Sequence, residues 1–306
     1  MLVLAVECAQ LPFSKLVSIY MDKLLFSIIA DGGSDILERQ ISSINRFSPG
    51  SFICIHNAKD TAFSGREVLD RIAASNVFLN PDSYVIRPQE GVLHAHISNF
   101  QHAIAQSLDF DKIVLFSQQE LLTKSGLGEH TKRFTIGAQT ELYENIDTAN
   151  NWAGFRPEVL NFPGIKRALS LLGLPLFAAG QAEGQFFSRD VFAHLERVFV
   201  DSFPMEPCGF PTEQIVPSTL AMRYGFAGTN ISLPITFSAG NSQLEISEDV
   251  IRQLKKGDGA LHARARPGAL RPAHVGACVL KDVYAVSLPA DRYETWSKVM
   301  AQLENT

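Results

Sequence analysis

An unbroken apolar run, Leu24-Leu25-Phe26-Ser27-Ile28-Ile29-Ala30, is followed at once by Asp31-Gly32-Gly33-Ser34. A run without polar alternation suits a strand buried on both faces, the kind found in parallel sheets covered by helices on either side. From Asp35 to Phe47 the residues Ile36, Ile41, Ile44 and Phe47 recur at helical spacing, and Ser51 to His56 reads as a second strand. Strand, turn, helix and strand in this order open a doubly wound α/β sheet, in which ligands bind beyond the carboxyl ends of the strands. Asp31 and the pair His56-Asn57 stand at those ends.

The remaining pattern continues the sheet. A third strand is expected around Ser83 to Ile86, leading to Arg87-Pro88, and then a His-rich helix from Leu93 to Leu108. A fourth strand, Lys112 to Phe116, ends in Ser117-Gln118-Gln119-Glu120, and a short strand between Gly180 and Ser188 leads into a helix from Asp190 to Val200. Thr212 is placed to cap another helix, with apolar residues at Ile215, Val216, Leu220 and Met222, and the sheet is expected to be complete by that point. A late strand at Ile231 to Phe237 and a helix at Ser247 to Leu254 bring the chain to His262-Ala263-Arg264-Ala265-Arg266.

Composition narrows the class. With 306 residues and 46% hydrophobic content the chain can bury a large core, and no repeat or low-complexity tract argues otherwise. A net charge of −5 excludes general nucleic-acid binding, which needs a basic field to displace phosphate counterions. Cys8, Cys54, Cys208 and Cys278 are far apart and lack zinc spacing, so reduced thiols in a cytoplasmic protein are the expectation. Residues 1–22 begin with an apolar stretch interrupted by Glu7 and Pro12, too short for a span and without a signal-peptide n-region. They are expected to form an appendage, the one segment suited to peripheral contact with the inner membrane face, before a single domain over 23–306.

Several strings together resemble the core-2/I-branching N-acetylglucosaminyltransferase and peptide O-xylosyltransferase family, loosely from Lys23 to Arg266. They are Glu38-Arg39 after the first strand, Ile55-His56, Ser117-Gln118-Gln119-Glu120, Gly184-Gln185-Phe186-Phe187-Ser188-Arg189, Pro211-Thr212-Glu213-Gln214 and His262-Ala263-Arg264-Ala265-Arg266. Two departures stand out: Asn57-Ala58 follows His56 where the family has an acid, and Leu93-His94-Ala95-His96 replaces its Trp-Gly signature. The resemblance implies an α/β fold with a GT-A-like, Rossmann-type mixed sheet flanked by helices. It also implies transfer of a sugar from a nucleotide-sugar donor, a UDP-sugar in the first instance, to a glycan or other hydroxyl acceptor.

The chemistry asks for three groups. An inverting transfer needs a carboxylate to take the acceptor hydroxyl proton, and Glu213, at a loop-to-helix junction, is the candidate, where the resemblance also puts the family's base. The departing diphosphate needs positive charge. The Asp109-Phe110-Asp111 pair precedes its strand and so lies at the wrong end of the sheet for a metal, which leaves Arg264 and Arg266, whose guanidinium forks suit phosphate oxygens, and the expectation of a metal-independent reaction with no bound cofactor. A nucleoside pocket is expected from Asp31, His56 and Arg87.

Glu120 and Glu183 are candidate acceptor-hydroxyl binders, Phe187 a sugar-stacking side chain, and His94 or His96 a substrate hydrogen-bonding group. On a helix His94 and His96 face different directions and would not converge on a metal. A hydrolase or nucleotidyltransferase on a similar sheet lacks its usual strings, since no Gly-x-Ser-x-Gly, P-loop or Gly-x-Gly-x-x-Gly is present. A non-catalytic nucleotide-sugar or carbohydrate-binding protein with a decayed site is the alternative reading, motivated by the missing acid after His56.

Overall fold

The structure is a computed structural model, and it describes residues 22–287 apart from 32, 60, 88–90, 118–119, 144–160, 205–208, 210, 239–259, 263–268, 273–276 and 280–281. Strand β1 (Leu24–Ala30) is buried along its whole length, as its uninterrupted apolar sequence requires. Helix α1 (Ser34–Phe47) covers it with Ile36, Leu37, Ile41 and Ile44. Then follow β2 (Phe52–Asn57), α2 (Gly65–Ile72), β3 (Val77–Leu79), α3 (Val92–Ala105), β4 (Lys112–Ser117), β5 (Glu120–Leu122) and α4 (Leu127–Lys132). The middle of the chain supplies β6 (Ile136–Gly137), β7 (Glu141–Tyr143), α5 (Pro163–Leu172), β8 (Ala178–Ala179), β9 (Phe186–Ser188), α6 (Arg189–Ser202) and α7 (Thr212–Phe226). Beyond it come β10 (Ile231–Ser232), β11 (Thr236–Ser238), β12 (Ala260–His262), β13 (Ala269–Pro272), β14 (Ala277–Val279) and β15 (Ala285–Ser287).

The main sheet has the order β10-β6-β9-β4-β1-β2-β3. β1 pairs in parallel with β2 and β4, β2 with β3, and β6 with β10, whereas β9 runs antiparallel to both β4 and β6. The expected α/β class holds in a mixed, mostly parallel Rossmann-type sheet flanked by helices. The inverted strand has a consequence for the site. Because β9 starts where the parallel strands end, the residues just before it share an edge with those that follow β1, β2, β4 and β6.

Alternate residues of the central strands feed two cores on opposite faces. Ile113 and Leu115 of β4 join Phe187 and the apolar sides of α3, α5, α6 and α7. Val114 and Phe116 join Phe186 and the buried sides of α1 and α2. Phe187 is fully buried and packs on Phe192, so the expectation that it stacks on a sugar is corrected: it is a core side chain.

Three expectations about elements change. The third strand is Val77–Leu79, not Ser83 to Ile86, whose chain instead crosses the end of β2 with the Lys59 N–H donating to the Tyr84 carbonyl. Thr212 is inside the helix, with Pro211 at the N-cap and no side-chain cap. The run Ile231 to Phe237 splits, and β10 extends the main sheet after α7 while β11 joins β15 and β5 in a second one. The helix expected at Ser247 to Leu254 lies outside the described residues.

Candidate functional site at the carboxyl edge of the sheet

The first group of candidates stands over β1 and β2. The Ala58 N–H donates to the Ala30 carbonyl at 3.0 Å, tying the ends of the two strands together, and Ser83 Oγ donates to the Asn57 carbonyl at 2.8 Å. Asp31 and Arg87 are exposed on this rim. His56 is fully buried and its Nε2 accepts the Tyr84 N–H at 3.0 Å. An acceptor at Nε2 puts the ring proton on Nδ1, a buried atom with no hydrogen-bond partner. Burial lowers the His56 pKa to about 4, so the imidazole is neutral near pH 7. The phenol ring of Tyr84 stacks on it at 5.1 Å and 10° between planes.

A buried polar network braces this edge from below. The Asn99 amide donates to Ser27 Oγ at 2.9 Å, to the Cys54 carbonyl at 3.1 Å and to the Ile28 carbonyl at 3.2 Å, while its oxygen accepts from Asn80 at 3.0 Å. His96 belongs to the same network, with Nδ1 2.8 Å from Ser27 Oγ and a pKa lowered by burial to about 3. His94 points elsewhere, its Nε2 2.9 Å from the Pro204 carbonyl and its ring edge-on to Phe199. Both are interior groups that pack α3 against different neighbours, which corrects the expectation that either reaches a substrate. Their divergence follows from two-residue spacing on a helix.

The second group, three glutamates, stands over β4, β9 and β6. Glu120 follows β4 and is fully buried. Its Oε2 accepts the Ser117 N–H at 2.6 Å, and its Oε1 lies 2.6 Å from Thr236 Oγ1. Gln40 of α1 donates to the carbonyls of Ser117 and Glu120 at 2.6 and 2.8 Å, tying the end of β4 to the start of β5. Glu183, half-buried, precedes β9. Glu213 lies in the first turn of α7 and is 4% exposed, with Oε2 unpartnered. The head of α7 is joined to this edge by the Gly180 N–H, which donates to the Gln214 carbonyl at 3.0 Å.

Burial first, and the charge of Glu183 in smaller part, raise both Glu120 and Glu213 to a pKa of about 8. Two protonatable acids thus stand at this edge, and each feels the charge of the more exposed Glu183. Such groups can exchange protons near neutral pH, the range in which a general base works best.

Among the remaining expectations, Arg264 and Arg266 lie outside the described residues. Asp109 is exposed and ion-paired with Lys23, and Asp111 accepts the Lys23 N–H at 2.8 Å, so this pair closes a turn at the opposite edge of the sheet. Among the described residues no three His, Cys, Asp or Glu side chains are grouped to hold a metal, and the acid after β4 has both carboxyl oxygens engaged. No helix of the described residues is long and apolar enough to cross a membrane. Sequence reasoning passed over Gln40, Tyr84, Asn99 and Thr236, whose partners lie far along the chain.

No family model matches the chain, and no curated protein does. Among solved structures it is similar to a nucleoside-diphosphate-sugar pyrophosphorylase from Vibrio cholerae RC9, at 11% identity over 69% of this chain and 90% of that one, with a TM-score of 0.41. It is also similar to a mannosyltransferase from Pyrobaculum calidifontis, solved with GDP-Man and Mn2+, at 10% identity over 70% of this chain, with a TM-score of 0.41. The chain spans 55% of that mannosyltransferase. At this distance neither likeness transfers a residue role. The expectation of a reaction free of metal is withdrawn; that mannosyltransferase was solved with Mn2+.

Proposed function

We propose that the chain is a glycosyltransferase that moves a sugar from a nucleotide-sugar donor to a hydroxyl acceptor, with Glu213 as general base. The observation that carries this reading is the carboxyl of Glu213: buried, with one oxygen unpartnered, raised to a pKa of about 8, and beside Glu183 at the ligand-binding edge of a GT-A-like sheet. In the step proposed, the acceptor oxygen forms a bond to the anomeric carbon from the face opposite the diphosphate. Its proton passes to Glu213, and the bond from that carbon to the diphosphate oxygen breaks, its electron pair leaving with the nucleotide. The configuration inverts.

The same reading gives the rim of β1 and β2, with Asp31, His56 and Arg87, to the nucleoside. It gives Arg264 and Arg266 to the diphosphate on the strength of their sequence alone. Glu183, more exposed than Glu120, is the acid for acceptor hydroxyls, and Glu120 the one that shapes the turn after β4. The core-2/xylosyltransferase resemblance favours a UDP-sugar and a glycan acceptor. A thermal-shift panel of UDP-, GDP-, ADP- and CDP-sugars, each with and without manganese, tests the reading and separates donor from cation. One donor at a hundredfold excess over its dissociation constant should add about 3 kcal/mol of stability. A panel in which no nucleotide sugar stabilises the fold under either condition contradicts it.

A further inference from the structure

We infer that Tyr84 is the platform on which the base of a nucleoside diphosphate stacks, with His56 as its fixed backing; the inference rests on the donor-site reading above.

Tyr84 sits where a doubly wound sheet takes its ligand, beyond the carboxyl ends of β1 and β2. Three bonds hold this corner in place: Ala58 N–H to the Ala30 carbonyl, Lys59 N–H to the Tyr84 carbonyl at 2.9 Å, and Tyr84 N–H to His56 Nε2. Around it Asp82, Ser83, Val85 and Arg87 are exposed, yet Tyr84 is half-buried because its ring lies over His56 and against the small apolar cluster of Ile29, Ala58, Ile86 and Ala95. An aromatic side chain held flat on a rim otherwise made of exposed groups costs little conformational entropy when a second ring settles on it. The backing is neutral as well as rigid. His56 is fully buried with its proton on Nδ1, so the stack carries no charge that a base would have to accommodate.

Stacking on an aromatic side chain tolerates every base, because each has a π-face, and is lost on truncation to alanine. Tyr84 therefore contributes affinity to any nucleoside diphosphate and none to a diphosphate lacking a base. That contrast gives the test. Dissociation constants for UDP, GDP and inorganic pyrophosphate are measured by titration calorimetry, with manganese throughout, on wild type, Tyr84→Phe and Tyr84→Ala. The expected result for Tyr84→Ala is nucleotide binding weakened about 5- to 150-fold with pyrophosphate unchanged, while Tyr84→Phe stays close to wild type. Where circular dichroism shows Tyr84→Ala unfolded, Tyr84→Leu, which still covers His56 but has no ring, takes its place under the same criterion. Nucleotide affinity unchanged in the folded variant overturns the platform and leaves the donor reading standing. Wild type that binds neither nucleotide overturns both. Equal weakening for nucleotides and pyrophosphate also overturns the platform, since the loss would then not come from the base.

Discussion

Glu120 Oε1 and Thr236 Oγ1 stand 2.6 Å apart, joining the turn after β4 to β11. The other Glu120 oxygen already accepts the Ser117 N–H, so a proton on Glu120 resides on Oε1 and is donated to Thr236; when Glu120 is ionised, Thr236 donates instead. The pair thus stays bonded in either state. Thr236→Val keeps the shape and removes the partner, leaving Oε1 buried and unsatisfied. It should cost about 1–3 kcal/mol in urea denaturation, with Thr236→Ser well below that. A Thr236→Val variant as stable as wild type would show that the bond contributes nothing to holding the turn.

The same acids make stability depend on pH. Glu120 and Glu213 have folded-state pKa values of about 8, raised above the unfolded value, so the folded chain binds more protons than the unfolded one between roughly pH 4.5 and 8. Their contribution is fully present below the unfolded pKa and is lost as pH rises through about 8. Wild type should lose on the order of a few kcal/mol from each of these groups between pH 5 and pH 9, and Glu120→Gln and Glu213→Gln should each flatten that slope. Parallel slopes in wild type and both variants would mean that the acids are not held protonated.

Gly184 is fitted to the same junction. Its φ of +72° belongs to the left-handed region, and a Cβ built there would collide with the backbone nitrogen and side chain of Thr236. Gly184→Ala should therefore cost more than the roughly 1–3 kcal/mol of simple overpacking, because the backbone strain adds to the clash. Chemical denaturation measures it. A cost under about 1 kcal/mol would show that β11 moves aside freely.

Much of the frame was legible because its signals are local. β1, α1, β2 and β4 declare themselves through buried runs and helical spacing, and the inverted β9 was read as a strand leading into a helix. β3 escaped because Val77, Phe78 and Leu79 give only three residues of pattern, whereas Tyr84-Val85-Ile86 looks more like a strand and is not one. Pro211 takes the cap position, although Thr212 has the side chain suited to it. The site divides in the same way. Glu213, Glu120 and Glu183 could be singled out because each flanks an element boundary, and they do share an edge. The bonds that hold that edge could not, since Gln40 meets the Ser117–Glu120 turn from about eighty residues away and Thr236 meets Glu120 across 116. His94, His96 and Phe187 carry no mark in the sequence that separates a buried polar or aromatic side chain from one lining a cleft.

The proposed transfer rests on Glu213 taking a proton from the acceptor hydroxyl. The measurement is initial rate against pH for wild type and Glu213→Gln, with the nucleotide sugar that stabilises the fold, manganese, and a panel of simple sugar acceptors, reading released nucleoside diphosphate. Wild-type kcat should rise through about pH 8 as Glu213 ionises. Glu213→Gln, which keeps the side-chain shape, should be slower by about 10²–10⁴-fold with that rise removed and donor affinity unchanged. A Glu213→Gln rate within a few-fold of wild type, following the same pH curve, would contradict the assignment of Glu213 as the base.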